Sequence, residues 1–587
     1  MAKKYDLETF RHSCAHLMAQ AIQEIFPKEK VKLGIGPVID NGFYYDIEMN
    51  TRISEEDFEK IEKKMLEIIK EDLPIEKTVL ERDKAVEYFG KLGQSLKQEL
   101  IRDFPAGEVI SCFSNGGQDR FIDLCRGPHV ERTSHIPPYF KLLHTAGAYW
   151  RGDESRPMIQ RIYAAHFDNK KELKQYLFNL EEAKKRDHRK LGKELELFHF
   201  DPVAPGSPFF MPKGTIVYNE LIEFIRRLYR KYNYSEVITP QILDVDLWHT
   251  SGHYQNYKDN MFFTPVEGRE YAVKPMNCPC HMLMYKHYKY SYRDLPLRFA
   301  DFGRLHRYEK SGTLAGLTRV RTFCQDDCHI FLPMEKIADE VLEVMQTFLI
   351  CYKHFGFKDM KLGISTRPAK KIGDDSVWDT AEAALKNALD KGGYEYTINE
   401  GDGAFYGPKI DILISDALGR FHQLGTCQLD FHLPERFDLK YTDADGTNKR
   451  PVVIHRALLG SLERFFGVYL ENVAGAFPFW IAPEQATIVP VNNEMHLAYA
   501  QNLSKQLNNL GFRVRVDDRN ESMGFKTRQI QKSKTPFMLV IGDREMQESN
   551  VSIRKYGENK SETLSQEKLF ALFHELNLEK IPEELRS

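Results

Sequence analysis

Residues 302–331 read FGRLHRYEKSGTLAGLTRVRTFCQDDCHIF, and this stretch decides which fold the chain is expected to take. Two strand-like runs flank a loop that contains glycine, which predicts a β-hairpin. Arg307 and Glu309 follow the first run, and Arg319 precedes the second. An arginine keeps its charge and can bind a phosphate bidentately. The hairpin is therefore a candidate phosphate-binding element, although each arginine taken alone is more often part of a surface ion pair.

The chain around this hairpin has an ordinary globular composition. Its 587 residues exceed what one hydrophobic core holds, so several domains are expected. No apolar run reaches the length of a membrane span, and the N-terminal residues lack the apolar segment of a signal peptide. Nine scattered cysteines indicate free or metal-bound thiols in a reducing compartment, hence a cytoplasmic protein. The net charge of −3 leaves nucleic-acid contacts to local basic patches.

Near the N-terminus, RHSCAHLMAQA places His12 and His16 four residues apart, and LCRGPHV places Cys125 and His129 at the same spacing. These four residues could hold a metal, carry out hydrolysis or merely pack. A helix is predicted over residues 6–26, and the two histidines fall opposite its apolar stripe. Truncating them is therefore not expected to open a core cavity. The stripe consists of Phe10, Cys14, Leu17, Met18, Ala21 and Ile25.

Changes in composition divide the chain into four parts. Residues 1–168 mix helix and strand patterns, with Ser54 and Asp57 as a capping box before a second helix. Residues 169–205 read as a charged connector helix and a Pro/Gly-rich linker. Residues 206–480 form the largest part. It opens with an apolar-striped helix at 214–231, carrying Ile216, Leu221, Ile225 and Leu228, and a strand that ends at Pro240.

The last part, residues 481–587, alternates strand and helix patterns, which predicts an α/β domain with a mixed sheet. It also contains a dense basic run. We expect phosphate contacts from this run rather than an ordinary solvated surface. Its members are Arg513, Arg515, Arg519, Lys526, Arg528, Lys532 and Lys534.

Four strings in the largest part, taken in order, resemble the signature motifs of class II aminoacyl-tRNA synthetases. They are KPMNCPCH, RVRTFCQDDCHIF, AFYGPKID and HRALLGSLERF, and in detail they are similar to those of threonyl-tRNA synthetases. The resemblance extends from HSCAH at residues 12–16 to the basic C-terminal part. It implies an α+β multidomain protein: an N-terminal α+β editing domain, a class II catalytic core with an antiparallel sheet, and a C-terminal α/β anticodon-binding domain.

The resemblance implies one catalytic zinc per subunit, held by Cys278, His329 and His455. One sulfur and two nitrogen ligands with an open position are typical of a working zinc. Threonine can coordinate through its amino group and its β-hydroxyl, whereas isosteric valine has no hydroxyl, so the site would reject valine. Spacing alone does not select these ligands, because other cysteines and histidines compete with them: Cys280, His281, Cys324 and Cys328.

The resemblance also implies the substrate contacts. Asp327 would bind the amino group of L-threonine, with Tyr406, Gln428 and Gln325 completing the pocket. Arg307 would hold the α-phosphate and the threonine carboxylate. Arg464 would contact ATP. Glu309, Arg319 and Gln423 would help to position the nucleotide. Mg²⁺ would accompany ATP through its phosphates, and Lys409 lies nearby without an assigned role.

Serine has both groups that zinc requires and lacks only a methyl, which is worth about 1–3 kcal/mol, so a second, hydrolytic site is expected. The family places it in the N-terminal domain, where His12, His16, Cys125 and His129 match. Asp123 and Tyr45 are weaker additions. The cluster also resembles the zinc-binding editing site of alanyl-tRNA synthetases. For this chain we predict hydrolysis of the seryl ester without metal.

The remaining implied partners are threonine tRNA, with Glu545 and Arg554 at base-contacting positions, and a second copy of the chain. The helix 214–231 and the strand to Pro240 would build the homodimer interface. Many bacterial members begin with a ubiquitin-like domain, which this sequence is expected to lack. Two rivals are another class II synthetase and a non-catalytic RNA-binding paralogue. Loss of an ATP-contacting arginine or of a zinc ligand would favour the paralogue, and none is missing.

Overall fold

The computed structural model describes residues 4–105, 107–153, 156 and 158–586. The chain divides into two compact units, Met1–Glu181 and Glu182–Ser587. No helix within the described residues is long and apolar enough to cross a membrane. The sequence-based boundaries at residues 168, 205 and 480 remain predictions.

The first unit packs helices against antiparallel sheets. One sheet has the strand order β1-β3-β8-β7, with β2 paired to β3, and the other has the order β4-β5-β6. The predicted capping box of Ser54 and Asp57 is present one turn before α2. The helices are α1 Leu7–Ile25, α2 Phe58–Lys70, α3 Arg82–Lys91 and α4 Ser95–Asp103, and the strands are β1 Lys32–Leu33, β2 Val38–Ile39, β3 Gly42–Glu48, β4 Ile75–Leu80, β5 Ile110–Asn115, β6 Ile122–Leu124, β7 Phe140–Tyr149 and β8 Met158–His166.

Helix α1 confirms the predicted element and corrects the prediction about its histidines. Its predicted stripe packs in the core of the unit, but burial continues around the helix and leaves His16 only 3% exposed. The His16 ring contacts Phe121, whose centroid is 5.9 Å away. The expectation that this face lies away from the buried side is therefore wrong for His16, which already lines a cavity that its truncation would enlarge. His12 is half-buried.

The second unit begins within the predicted connector. The connector is two helices rather than one, because Asp187 interrupts it and its side chain accepts a hydrogen bond from the Arg189 N–H to begin α6. The helices are α5 Lys170–Arg186, α6 His188–Glu194, α7 Pro212–Lys231, α8 Val245–Ser251, α9 His253–Tyr257, α10 Cys278–His287, α11 Ile337–His354, α12 Asp375–Gly392, α13 His432–Arg436, α14 Leu462–Asn472, α15 Asn493–Asn509, α16 Met523–Lys532, α17 Asp543–Gln547 and α18 Gln566–Leu578.

The strands of this unit belong to a large central sheet, to a C-terminal sheet and to short ribbons. They are β9 Phe198–Phe200, β10 Pro208–Phe210, β11 Ser235–Glu236, β12 Ile242–Asp244, β13 Phe262–Val266, β14 Arg269–Val273, β15 Tyr290–Ser291, β16 Leu297–Asp301, β17 Arg304–His306, β18 Thr322–Leu332, β19 Met360–Ser365, β20 Tyr396–Asn399, β21 Lys409–Ser415, β22 Phe421–Asp430, β23 Tyr441–Thr442, β24 Asn448–Lys449, β25 Val452–Ser461, β26 Ala486–Pro490, β27 Val514–Val516, β28 Phe537–Ile541, β29 Asn550–Lys555 and β30 Glu562–Ser565.

The central sheet has the strand order β11-β16-β18-β25-β22-β21-β19-β20 and is antiparallel through its middle. Strand β17 pairs with β18, which confirms the hairpin predicted at residues 302–331. Helices α7, α11 and α14 pack on one face of the sheet and form the main hydrophobic core. On the opposite face, β18, β22 and β25 carry polar side chains beside a smaller hydrophobic cluster, and the candidate site lies there.

Helix α7 differs from the prediction that assigned its stripe to a dimer interface. Leu221, Ile225 and Leu228 are fully buried in the core of their own chain, which leaves only the half-buried Ile216 of this stripe for a partner. The following strand is only Ser235–Glu236 and does not reach Pro240. Beyond it Ile238 is 91% exposed.

The C-terminal sheet confirms the predicted mixed topology. Strand β26 lies parallel to β27 and β28, whereas β29 and β30 are antiparallel. Most of the basic run nevertheless binds the protein itself. Arg513 donates to the carbonyls of Trp480 and Ala482, and Lys526 is buried on the Asp517 carbonyl. Arg515 and Arg519 form ion pairs with Glu484 and Asp517, and Lys534 donates to the Ala474 carbonyl. Arg513 and Lys526 are therefore committed to internal contacts, and phosphate contacts from the other members of the run stay a prediction.

Candidate functional site

Three side chains from separate elements meet above the polar face of the central sheet. Cys278 begins α10, His329 lies in β18 and His455 lies opposite it in β25. Their Sγ and ring nitrogen atoms all lie within 4.8 Å of one another, and all three residues are buried. His329 Nε2 and His455 Nδ1 are 2.9 Å apart. One thiol and two imidazoles at this spacing suit a zinc ion.

Hydrogen bonds to the outer nitrogen of each imidazole direct the other nitrogen toward the cluster. The Nε2–H of His455 donates to Asp430 Oδ2 at 2.9 Å, which leaves the Nδ1 lone pair facing the cluster. On the other side, His281 Nδ1 is 2.7 Å from His329 Nδ1. With the shared proton on His329 Nδ1, that nitrogen donates to His281 Nδ1, and the Nε2 lone pair of His329 also faces the cluster. The proton of His281 is then on its Nε2. That buried atom has no hydrogen-bond partner among the described residues, and its nearest carboxylate, Asp301, is 3.7 Å away. This tautomer gives the His281 proton a carboxylate to face, so the residues fit a metal cation.

The alternation of side chains along the strands separates these ligands from most of their competitors. His329 and Asp327 project from one face of β18, whereas Cys328 projects from the other into the hydrophobic core. Cys324 packs in that same core. Cys280 is buried beside Lys274 and Thr239, where the pKa of its thiol is raised to about 11 by burial.

The side chains predicted to bind the amino acid lie around the three candidate ligands. Asp327 accepts a hydrogen bond from Asn277 Nδ2 at 3.0 Å, and burial raises the pKa of its carboxyl. The Tyr406 ring lies 5.2 Å from the His455 ring. Gln428 pairs with His455 across the strands and donates to the Gly407 carbonyl. Gln325 lies beyond a bulge in β18 that separates it from Asp327.

The arginines predicted to bind ATP lie around the β17–β18 hairpin. The Arg307 guanidinium lies 4.9 Å from the centre of the Phe323 ring, and its Nε donates to the Pro275 carbonyl. Arg319 forms an ion pair with Glu309 at 3.0 Å. Arg464 reaches from α14 to the carbonyls of Thr318 and Gln423, each at 3.0 Å. Gln423 and Lys409 both donate to Asp411.

The first unit brings the four opening residues together. Cys125 Sγ lies 3.2 Å from His12 Nε2 and 3.1 Å from His129 Nε2. The Nδ1 of His129 is 3.1 Å from the Ser13 hydroxyl. The ring of His16 lies 4.3 Å from that of His129. This is the juxtaposition that the two matching spacings predicted.

An ion-pair network and a cavity border this cluster. Asp123 accepts from the buried Lys97 ammonium at 2.5 Å and from the Tyr45 hydroxyl, and it lies 3.4 Å from His16 Nε2. The cavity beside them measures about 280 Å³ and has apolar walls that include Leu100 and Phe104. It is large enough for an aminoacyl group next to the polar cluster.

Burial keeps the cluster uncharged. It lowers the pKa of His12 and His129, and it lowers the pKa of His16 well below the usual value. It also raises the pKa of the Cys125 thiol to about 11. The cluster therefore offers water neutral acceptors at physiological pH.

The two positions predicted to contact anticodon bases lie in α17 and β29. Glu545 Oε2 accepts from the Gly542 N–H at 3.0 Å, so part of this carboxylate stabilises the start of its own helix. Arg554 Nη2 lies 3.6 Å from Met538 Sδ. Nothing in the described chain accepts a hydrogen bond from the buried Nε of Arg554.

Comparison with known proteins gives these sites a family. Residues 217–473 match the tRNA synthetase class II core domain (G, H, P, S and T), and residues 485–576 match the anticodon binding domain. Residues 111–163 match the threonyl and alanyl tRNA synthetase second additional domain. The chain is 54% identical over 550 residues to threonine--tRNA ligase of Bdellovibrio bacteriovorus, which covers 93% of this chain and 83% of that protein.

The chain belongs to the threonyl-tRNA synthetase family. It is also 48% identical to threonine--tRNA ligase 2 of Bacillus subtilis, over 95% of this chain and 86% of that one. Among solved structures, the RNA binding domain of threonyl-tRNA synthetase from Cryptosporidium parvum is similar, with a TM-score of 0.65 and 47% identity. That similarity covers 66% of this chain and 98% of the other. The core, anticodon-binding and editing domains expected of a threonyl-tRNA synthetase are confirmed.

Sequence reasoning missed several residues that support these sites. Asp430 orients His455, Asn277 contacts Asp327, and Lys97 holds Asp123. Asp430 lies two residues after the predicted Gln428, so strand alternation was a usable signal for it. Lys97 lies in a charged helix that reads as solvent-exposed, and nothing in its local pattern indicates its burial.

Proposed function

We propose that the protein joins L-threonine to threonine tRNA through a threonyl-adenylate, and that its first unit hydrolyses tRNA mischarged with serine. The observation that carries the first activity is the convergence of Cys278, His329 and His455 beside Asp327. A ligand set with one sulfur, two nitrogens and an adjacent carboxylate suits an amino acid that has both an amine and a hydroxyl.

Cys278, His329 and His455 would hold zinc, which when bound supplies a Lewis-acid position for the amino and β-hydroxyl groups. Asp327 binds the amino group of threonine, and its contact with Asn277 fixes the carboxylate for this task. Tyr406, from the turn before β21, and Gln428, from β22, close the pocket. Valine fits the same volume but cannot use the position that binds the hydroxyl, so it is rejected strongly.

In the activation step the threonine carboxylate attacks the α-phosphorus of ATP and pyrophosphate leaves. Arg307, fixed by the Pro275 carbonyl and the Phe323 ring, neutralises charge on the α-phosphate and the attacking carboxylate. Arg464 and Arg319 would contact ATP from the far side of the hairpin. Mg²⁺ would enter with ATP through its phosphates.

In the hydrolytic step water attacks the carbonyl of the seryl ester in the cavity of the first unit, the acyl C–O bond breaks, and serine leaves together with the tRNA, whose ribose oxygen takes up a proton. The neutral imidazoles of His12 and His129 accept hydrogen bonds from water, and one of them takes its proton. The Lys97–Asp123 pair supplies fixed charge next to the ester. We propose that this site works without metal, because the carboxylate beside it, Asp123, is already paired with the Lys97 ammonium.

For tRNA, we propose that Arg554 and Glu545 contact anticodon bases. The unpartnered Nε of Arg554 supports this, because a buried donor is costly unless a ligand satisfies it. An Arg554→Ala variant should raise KM for tRNA and leave ATP–pyrophosphate exchange unchanged. Truncating the whole domain is a poorer test, because Arg513 joins it to the Trp480 carbonyl and to Glu220 of the core.

We further propose a cytoplasmic homodimer, as is general for class II synthetases. Ile238, in the segment that links β11 to β12, is 91% exposed, and Ile242, which begins β12, is 56% exposed; apolar side chains so exposed favour a partner surface. An Ile238→Asp variant should turn a dimeric mass into a monomeric one by light scattering at micromolar concentration. A monomeric and fully active wild type would refute the dimer.

The direct test of the ligase activity is ATP–pyrophosphate exchange across the amino acids. Threonine should support exchange, serine should do so weakly, and valine should be near background. Robust exchange with a different amino acid and none with threonine would refute the proposal.

A further inference from the structure

His188 lies outside every motif discussed so far and nevertheless contacts the ATP-binding elements. It begins α6 and is 5% exposed. Its Nδ1 lies 2.7 Å from Glu471 Oε1, in the last turn of α14. Its Nε2 accepts a hydrogen bond from the Leu317 N–H at 3.0 Å, in the short 3-10 turn Gly316–Thr318 that precedes Arg319.

These two contacts fix the tautomer of the ring. A backbone N–H is always a donor, so Nε2 must be unprotonated to accept from Leu317. The proton therefore sits on Nδ1 and is donated to the Glu471 carboxylate. The second oxygen of Glu471 accepts from Arg420 at 2.6 Å, which holds that carboxylate in place.

The two elements that His188 joins carry the arginines assigned to ATP. Arg464 begins the same α14 and donates to the Thr318 carbonyl, next to Leu317. Arg319 follows directly in the chain. His188 thus binds the Leu317 N–H of the turn, and Arg464 binds the carbonyl of the next residue. Leu317 itself is fully buried.

The turn is packed directly against the imidazole. A Cβ added at Gly316 would lie 2.2 Å from His188 Nε2, and the backbone there has φ +54°. Only glycine allows so close an approach. By contrast, a Cβ at Gly312 in the same hairpin loop would meet nothing within 4 Å.

A metal ion is the alternative explanation for this cluster, because Asp187, His188 and Glu471 place donor atoms within 4.8 Å of one another. The hydrogen bonds and ion pairs of these three residues argue against a bound metal. The Leu317 N–H occupies the Nε2 lone pair, and Arg189 and Arg420 neutralise the two carboxylates.

We infer that His188 is a positioning residue for ATP: its neutral imidazole holds the Leu317 turn so that Arg319 and Arg464 meet the nucleotide together. This inference rests on the proposed function and specifies which residue outside the motifs sets ATP affinity. It requires the hydrogen bond to Leu317 and not merely a bulky side chain at position 188.

Two substitutions separate the contacts of the ring. In His188→Gln the amide oxygen can reach the position of Nε2 and accept from Leu317. In His188→Asn the amide nitrogen replaces Nδ1 toward Glu471, and nothing replaces Nε2. ATP–pyrophosphate exchange at saturating threonine should show KM for ATP raised about five- to tenfold in His188→Asn, as for one lost hydrogen bond. His188→Gln should stay within about twofold of wild type, and KM for threonine should be unchanged in both.

Gly316→Ala tests the same contact without altering His188, with Gly312→Ala as the matched control. Gly316→Ala should raise KM for ATP about as much as His188→Asn, and Gly312→Ala should not change it. Equal KM values for ATP in the two glycine variants, or a parallel rise in both KM values in His188→Asn, would overturn the inference. A wild type without threonine-dependent exchange would instead refute the proposed function.

Discussion

The two histidine–cysteine clusters have similar donors and different surroundings. Around Cys278, a carboxylate and a histidine stand behind the two imidazoles and turn their lone pairs toward a common point. Around Cys125 the thiol also contacts two imidazoles, and the Ser13 hydroxyl contacts the far nitrogen of His129. The donors and their orienting partners therefore do not separate the two clusters. They differ in the nearby carboxylates: Asp123 beside Cys125 is already paired with Lys97, whereas Asp430 contacts His455 and backbone N–H groups.

The secondary-structure elements that carry the two clusters also differ. The ligand histidines of the second unit lie on paired strands, where the register holds His329 directly opposite His455. The cluster of the first unit joins a helix to a loop, beside a cavity of about 280 Å³. A rigid sheet suits a fixed coordination geometry, and an adjacent cavity suits a substrate that must enter and leave.

The largest expected effect separates Cys278 from its neighbour Cys280. Cys278→Ala should lower threonine-dependent ATP–pyrophosphate exchange by about a thousandfold or more, because both the zinc ligand set and the hydroxyl-binding position are lost. Cys280→Ala is the control, since Cys280 points away toward Lys274. Equal activity in the two variants would break the assignment of the metal site.

The next effect belongs to the first unit. Cys125→Ala should slow deacylation of seryl-tRNA by about a hundredfold and let seryl-tRNA accumulate, while threonine activation stays at the wild-type rate. Cys112 lies in a smaller hydrophobic cluster of the same unit, so Cys112→Ala should deacylate seryl-tRNA at the wild-type rate. Normal deacylation by Cys125→Ala would return this cluster to a packing role.

A smaller effect tests the orienting carboxylate. Asp430→Asn keeps the Oδ1 that accepts from the His432 and Leu433 N–H groups, but its amide nitrogen cannot accept from His455. Zinc affinity should fall by about ten- to a hundredfold, measured by competition with a chelator, with little change in thermal stability. Unchanged affinity would mean that His455 needs no orienting group.

The smallest effect concerns the acid stability of the first unit. Burial lowers the pKa of His166 to about 4, below the unfolded value of about 6.5. A lowered folded-state pKa gives stability that is present above pH 6.5 and is lost as the pH falls toward 4. Between pH 7 and 5.5 this loss should be about 1 kcal/mol for His166. His166→Gln, which can still donate to the Pro137 carbonyl, should lose correspondingly less in denaturant melts. An identical pH dependence in both proteins would exclude this role.

Much of this arrangement was predictable because local patterns carry it. The β17–β18 hairpin, the capping box before α2 and the mixed C-terminal sheet follow from turn residues and periodicity. The sequence does not show which distant residues pack against the remaining faces of a helix. Helix α1 reads as amphipathic, yet Asp123 and Phe121, distant in sequence, bury its second face. The stripe of α7 reads as an interface and packs inside its own chain.

The same limit applied to single residues. Lys97 reads as a surface lysine and is buried on Asp123, and Arg513 reads as a phosphate ligand and binds carbonyls. His188 stood in a charged connector with no motif around it. Each of these roles depends on a partner brought close only by the tertiary fold.

Metal content of the purified full-length protein tests the comparison most directly. Zinc should be present at one ion per chain in the wild type and in Cys125→Ala, and it should be absent from Cys278→Ala. Two ions per chain in the wild type, with one lost in Cys125→Ala, would contradict the claim that only the Cys278 cluster binds metal.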